Sequence, residues 1–523
     1  MQHSTPQTAS AMVMSPELCG AAIITAVYVL LMCMRFVWID CVHYQKVADM
    51  YEKDDQQRGR RPPPVPPGSL GLPYVGDTIT YLIAVQNSDL RSYFDKKVES
   101  YGDIFKVSLF GRTTVFLDLI DGTDFLFRNE GQGELSLLPS HWSRSIRALM
   151  ESSSLPFTEG PIHKVLKNHW QRNFFDVSAV SRRVQTIEEL AVKHIREHWP
   201  GQSVEMASVL AHDAISLYTF DVVCELCLGV KDPALVQKLR LDIQVYAEGF
   251  YCLPLRFPGS GFYRACEAKK RLTRMLELVI VQRRHELLEG RAPPTHDFLC
   301  VLLSQRDETG LSSTDQEIAA QMLLMLFAGQ KPTADTLTHM IELVAAHPNA
   351  YAKLLQEHAE IASVKKEAEL LSKDDLCSMR YSWRVLQETL RLFPVSANLF
   401  REAATAFQYK GFTINKGWKV AASAARVRSE PEMFRDADSF DPSRFEDTDG
   451  GAPPYSHFPF GGGLRMCPGD ELAKQVIFVF FHHLLKNAQW RPVEAEHKVA
   501  PSYTCVPSPV SRMPFIVTRC KLF

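Results

Sequence analysis

Phe460-Gly461-Gly462-Gly463-Leu464-Arg465-Met466-Cys467-Pro468-Gly469 is the stretch on which the whole reading turns. It presents one cysteine on a glycine-rich loop directly before a helical run that reaches about Leu485. A thiolate that ligates the iron of a flat macrocycle must be deprotonated and must approach along one axis. Nearby N–H dipoles must temper its charge. Glycines let such a loop take backbone angles closed to other residues and pass close to the ring. Arg465 offers a guanidinium fork to a carboxylate, and Phe460 offers a ring to cover the sulfur. The helix after Pro468 turns its positive end back toward the thiolate. A lone cysteine is more often an inert core residue. Here the spacing F-x-x-G-x-R-x-C-x-G surrounds it, and that favours the ligand reading.

This pattern resembles the signature of the cytochrome P450 superfamily. The resemblance implies a mostly α fold with minor β, and heme b (iron protoporphyrin IX) bound by Cys467 as metal ligand. Other landmarks of that family follow in order. Glu388-Thr389-Leu390-Arg391 matches E-x-x-R, whose charges share one helix face. Phe440-Asp441-Pro442-Ser443-Arg444-Phe445 is similar to the family's later P-x-R-F segment, so Glu388, Arg391 and Arg444 are expected to form a buried structural triad. Gly160-Pro161-Ile162-His163-Lys164-Val165-Leu166-Lys167 resembles the helix that reaches the heme propionates, with His163 and Lys167 one turn apart. The expected cofactor-binding set is therefore Cys467, Arg465, Phe460, His163, Lys167, Arg401 and Gly329. Pro67–Pro73, Trp142–His163 and Gly411–Trp418 look closest to the retinoic-acid hydroxylase and plant hormone oxidase clan.

One stretch departs from the family. Phe327-Ala328-Gly329-Gln330-Lys331-Pro332-Thr333-Ala334-Asp335 carries lysine and proline where most family monooxygenases have an acid and a threonine. Splitting O2 on heme needs two protons at the distal oxygen, and that hydroxyl normally helps deliver them. A proline inside a helix loses an N–H bond and clashes with the preceding turn. Thr333 arrives one place late and is the candidate for the missing hydroxyl. Lys331 is the alternative relay, and Asp335 looks too far along. Two other readings stay open: a reductase-independent isomerase or dehydratase acting on a peroxide, and a non-catalytic heme-binding protein. The main expectation is a monooxygenase that inserts an oxygen atom from O2 into a C–H bond of a small lipophilic or amphiphilic substrate. Terpenoids, steroids, retinoids and fatty-acid-like molecules fit that description. The chain shows no flavin or nicotinamide motif, so the electrons are expected from a separate NADPH-dependent cytochrome reductase.

Outward from the site, Ser88–Tyr101, Val180–His198, Ala214–Leu228, Glu267–Leu288, Thr314–Ala346 and Asp374–Phe393 read as helices. Ile104–Leu109 and Thr114–Leu119 alternate like strands around Gly111, and Gly411–Val420 is strand-like. Leu18–Met34 carries no charge, Arg35 interrupts, and Phe36–Ile39 resumes. Leu18–Ile39 as a helix would be about 33 Å long, enough for a bilayer core of about 30 Å. Basic residues follow it and none precedes it, so the expectation is a luminal tail at 1–17 and an anchor at 18–39. A basic, proline-rich linker at 40–67 would lead to a cytosolic heme-binding domain at 68–523 on the endoplasmic reticulum membrane. A cleaved signal peptide, which lacks its usual basic start here, and an organelle-targeting segment are the rivals.

Composition bounds the rest. Lysine plus arginine (58) nearly equals aspartate plus glutamate (60), which argues against a nucleic-acid partner. The 12 cysteines are scattered, as expected for reduced thiols, and the C-x-x-C at Cys224 and Cys227 reads as buried small residues in a helix.

Overall fold

Capping decides where the central helices begin. The computed structural model describes residues 63–71, 76–87, 89–131, 137–139, 144–199, 206–252, 254–305, 313–366, 369–428, 430–446, 455–493 and 514–519. The helices that place the site are α1 (Gly160–Trp170), α2 (Ala211–Val223), α3 (Asp315–Ala328), α4 (Lys331–Ala346), α5 (Lys373–Ser378), α6 (Arg380–Leu392) and α7 (Asp470–Asn487). Thr314 and Glu317 form a reciprocal capping box at the start of α3, and Ser372 and Asp375 do the same for α5. The apolar faces of α2, α3, α4 and α7 meet in one large core. Within it the Tyr218 and Phe480 rings lie 4.7 Å apart, and the Tyr218 hydroxyl donates to the Val476 carbonyl at 3.2 Å. The architecture is mostly helical with minor sheet, as expected.

The main sheet runs β1 (Phe105–Leu109), β2 (Arg112–Phe116), β5 (Lys419–Ser423), β4 (Asn398–Ala403) and β3 (Leu137–Pro139) in spatial order. β1 and β2 form a hairpin whose two turn residues, Phe110 and Gly111, both have positive φ, the geometry that matches strand twist. β2 and β5 pair in parallel, and β4 pairs antiparallel with both β5 and β3. The end of the proline-rich run is tied to the body. Pro64 accepts from the Thr413 amide at 2.9 Å, and Pro67 accepts from the Lys106 amide at 2.8 Å.

Four expected elements are interrupted. Thr314–Ala346 is two helices, broken at Gly329–Gln330. Pro332 thereby falls in the first turn of α4, where its missing N–H has no intrahelical partner to lose. Asp374–Phe393 breaks at Met379, because the Glu357 carboxylate accepts from the Tyr381 and Ser382 amides and caps a new helix. Val180–His198 breaks at Arg183, whose guanidinium turns inward over the Phe174 ring at 4.1 Å. Gly411–Val420 splits around a turn at Gly417, whose φ is 80°. Cys224 and Cys227 are buried in a π-turn that ends α2, and burial pushes the Cys227 thiol up to about 12. The tail 1–17, the anchor 18–39 and 40–62 of the linker lie outside the described residues. Among the described residues no helix is long and apolar enough to cross a membrane.

Candidate active site: the cysteine loop and the broken helix

The loop closes on itself through backbone bonds. The Cys467 amide donates to the Phe460 carbonyl at 2.9 Å, and the Met466 amide donates to Gly463 at 3.3 Å. Gly463 shows why glycine is required. Its φ is 64°, and a Cβ there would stand 2.7 Å from the Phe127 carbonyl oxygen and 2.9 Å from Glu130 Oε2. Cys467 is exposed on the loop, yet desolvation by the surrounding protein and the Asp470 carboxylate push its thiol up, while the Gly469 amide and the Lys167 ammonium pull it down. Desolvation wins, so the free thiol keeps its proton. A cation on the sulfur would reverse that balance, as it does for any coordinating thiol.

α1 braces the loop from outside. Lys167 Nζ donates to the Leu464 carbonyl at 2.7 Å. Arg465 Nη2 donates to the Thr158 carbonyl at 2.7 Å, and its Nη1 lies 3.1 Å from His163 Nδ1. His163 Nδ1 also lies 3.2 Å from the Leu155 carbonyl, so it stands between a donor and an acceptor. Burial and the Arg465 charge hold the His163 pKa down at about 4. Nε2 is buried and has no partner. A buried polar nitrogen of this kind lacks a partner of its own.

Glu130 organises the cations, and nothing in the sequence pointed to it. Its Oε2 accepts from the Arg465 amide at 2.9 Å, and its Oε1 accepts from Arg401 Nε at 2.8 Å. Arg401 and Arg465 repel each other enough that Arg401 helps lower the Arg465 pKa, after burial. Lys167, Arg401 and Arg465 thus share one buried carboxylate; the other acids nearby are the exposed Glu159 beside Arg465 and the half-buried Asp470 beside Lys167. A cluster of cations beside an orphaned histidine nitrogen fits a group bearing two carboxylates. The Cys467 thiol, exposed on the loop, fits its iron. The residues present therefore suit heme. Phe460 lies at the loop's start, with Lys474 Nζ 5.9 Å from its ring centroid.

At the break, Thr333 is buried and its Oγ donates to the Gly329 carbonyl at 3.1 Å. That bond ties α4 to Gly329, the residue that caps the end of α3. Lys331 stands two residues earlier, about 200° away around the helix. Its Nζ meets Asp335 Oδ2 at 3.1 Å, and His212 Nε2 meets Asp335 Oδ1 at 2.9 Å. Asp335 is 1% exposed. Burial alone would raise its pKa, but His212 and Lys331 hold it below the usual range. Lys331 is thus committed to a bridge between α4 and α2, on a different face from Thr333. Gly329 faces the same neighbour: a Cβ there would stand 2.9 Å from Val223. The triad is assembled as expected. Glu388 takes Arg391 Nε at 2.6 Å and Arg444 Nε at 3.3 Å.

Comparisons with known proteins agree with this geometry. A family model described as Cytochrome P450 matches residues 66–509. The chain is 34% identical to "Taxane 13-alpha-hydroxylase" of Taxus cuspidata over 81% of this chain and 85% of the relative. It is also 34% identical to "Beta-amyrin 28-monooxygenase" of Kalopanax septemlobus, over 85% and 90%. Among solved structures, "Retinoic acid bound cyanobacterial CYP120A1" superposes with a TM-score of 0.75 at 27% identity, covering 88% of this chain and all of the other.

Proposed function

This chain belongs to the cytochrome P450 family, and from that premise we propose that it inserts one atom of O2 into a C–H bond of a terpenoid-like lipophilic molecule. It is a heme–thiolate monooxygenase whose cofactor is heme b. The observation that carries the assignment is the closed loop that presents Cys467 under the Gly469 amide. The substrate class is supported by the named activities of the taxane and β-amyrin relatives. The proposed electron donor is an NADPH-dependent cytochrome reductase. The proposed location is the endoplasmic reticulum membrane with the catalytic domain in the cytosol, which rests on the charge-free stretch 18–34 and the basic residues after it.

Each residue has a task. Cys467 would hold heme from one side through sulfur. Arg465, Arg401, Lys167 and His163 would hold its propionates. Bound heme supplies the site where O2 is activated. The Gly469 amide keeps the sulfur's charge from becoming too basic. Thr333 Oγ donates to the Gly329 carbonyl and keeps its lone pairs free to accept a proton. In this proposal the hydroxyl passes a proton toward bound O2 once it turns away from the Gly329 carbonyl. Lys331 does not move protons in this scheme: it is tethered by Asp335, and its part is to fix the start of α4.

The test is turnover of a triterpene or taxane with purified reductase under labelled O2. A product carrying one labelled oxygen, with NADPH consumed in step, supports the proposal. Thr333→Ala should then raise peroxide formed per NADPH while substrate binding persists. Product made from a hydroperoxide without reductase, and none with it, would instead support the isomerase reading.

A further inference from the structure

We propose that α2 clamps the broken helix on both sides of its break, and that His212 is the positioning residue of this clamp: it holds Asp335, which fixes the start of α4 and with it the Thr333 hydroxyl. The inference rests on the monooxygenase reading above. A clamp is needed because the break leaves α4 poorly guided. Pro332 brings no N–H to the ladder, and α4 opens with the bond from the Ala334 amide to the Gln330 carbonyl at 3.0 Å. Where a proline interrupts a helix, side chains set the direction in which it resumes. Before the break, Gly329 packs against Val223, the last residue of α2, so closely that a Cβ would stand 2.9 Å from that side chain. Beyond the break, His212 Nε2 donates to Asp335 Oδ1 at 2.9 Å. His212 is the second residue of α2, which follows directly on the strand Met206–Leu210. That strand pairs with Pro514–Arg519, so the His212 backbone is anchored in a sheet.

Of the three side chains in the charged contact, only His212 comes from outside α4. Lys331 and Asp335 stand four apart on one helix, 3.1 Å from each other. Such a pair stiffens its own helix and ties it to nothing else. Without His212, Asp335 Oδ1 would be left with Lys331 Nζ at 3.4 Å. A buried carboxylate that loses a donor is costly to leave so. Lys331 would have to close the gap, and it is the first residue of α4. Moving it moves Pro332 and Thr333, and the Thr333 bond to Gly329 moves with them. His212 acts by position and not as a proton path. Thr333 is two residues from Lys331 and two from Asp335, about 200° around the helix from each.

The experiment compares full-length, heme-loaded protein with His212→Phe, which keeps a ring and loses the donor, and with His212→Gln, which keeps a donor. Should His212→Phe fail to hold heme, His212→Leu carries the same comparison. One readout is product and peroxide formed per NADPH, with purified reductase and β-amyrin. The other is amide hydrogen exchange across 329–336 and across α7. His212→Phe should still consume NADPH, yet give at least about threefold less product per NADPH, with peroxide raised to match. Its 329–336 amides should exchange at least about tenfold faster, with those of α7 unchanged. His212→Gln should restore both. Adding His212→Phe to Asp335→Asn should change little beyond Asp335→Asn alone, because both act through one contact. Unchanged exchange at 329–336 in His212→Phe overturns the proposal. So does faster exchange spread evenly over both segments, natural coupling in a chain whose 329–336 has loosened, or effects of the two substitutions that simply add. If the natural chain itself makes no product from β-amyrin and O2, the failure belongs to the monooxygenase reading, and the exchange result decides the clamp.

Discussion

Glu388→Ala is expected to be among the most damaging single changes outside the cysteine loop. Both Glu388 oxygens are engaged: Arg391 reaches them at 2.6 and 2.8 Å, Arg444 Nε at 3.3 Å and the Asp441 amide at 2.9 Å. Glu388 is fully buried and Arg391 is 2% exposed. Truncation leaves the Arg391 charge in the interior. It would retain the carbonyls of Arg428 at 3.1 Å, Ala437 at 2.7 Å and Ser439 at 3.2 Å and the Phe434 ring at 5.0 Å, none of them an anion. Removing one partner of a buried pair costs about 3–5 kcal/mol. Whole domains have only about 5–15 kcal/mol to lose. The damage should reach the site, because Asp441 opens the segment that leads to Phe460 and the cysteine. The assay is urea denaturation of heme-loaded protein, followed by circular dichroism and by heme absorbance. The midpoint should fall sharply, with heme released at lower urea. Glu388→Gln should recover little, because it restores no charge. The control is the exposed Glu267–Lys270 pair, 2.7 Å apart on the surface, where truncation should change little. If Glu388→Ala behaves like Glu267→Ala, the triad does not brace the loop and the reasoning fails.

Two further outcomes are expected. Gly463→Ala forces a side chain into a positive-φ position against the Phe127 carbonyl and Glu130; a loss of at least about 1–3 kcal/mol should appear in the same urea titration, together with weaker heme retention. Acid should destabilise the heme-free chain. His194 is buried, and desolvation holds its pKa at about 3 against an ordinary 6.5. It stays neutral when folded and binds a proton on unfolding. Its contribution is therefore complete above about pH 6.5 and is lost as pH falls from there toward 3, at up to about 1.4 kcal/mol per unit. His163, held at about 4, adds the same sign over a narrower window. Urea midpoints at pH 7 and pH 5 check this, and a flat profile would contradict it.

Local constraints were legible in the sequence and distant ones were not. The cysteine loop could be read because its ligand, glycines and arginine lie within ten consecutive positions. Glu388 and Arg391 could be paired because three residues apart on a helix share a face. Glu130 was invisible: its role exists only because segments around 130, 401 and 465 converge. Asp335 looked misplaced along its helix, yet it is the anchor for Lys331, since α2 brings His212 to it from another part of the chain. Pro332 was visible as an anomaly. The position of the break was not, because it depends on where α3 can end and still leave proline in a first turn.

The most direct measurement is the difference spectrum of the reduced, carbon-monoxide-bound protein, recorded for the natural chain and for Cys467→Ala. The natural chain should give the red-shifted Soret band of a thiolate-ligated heme, and the alanine variant should lose it even where some heme stays bound. An unchanged band in Cys467→Ala would mean that another residue ligates the iron.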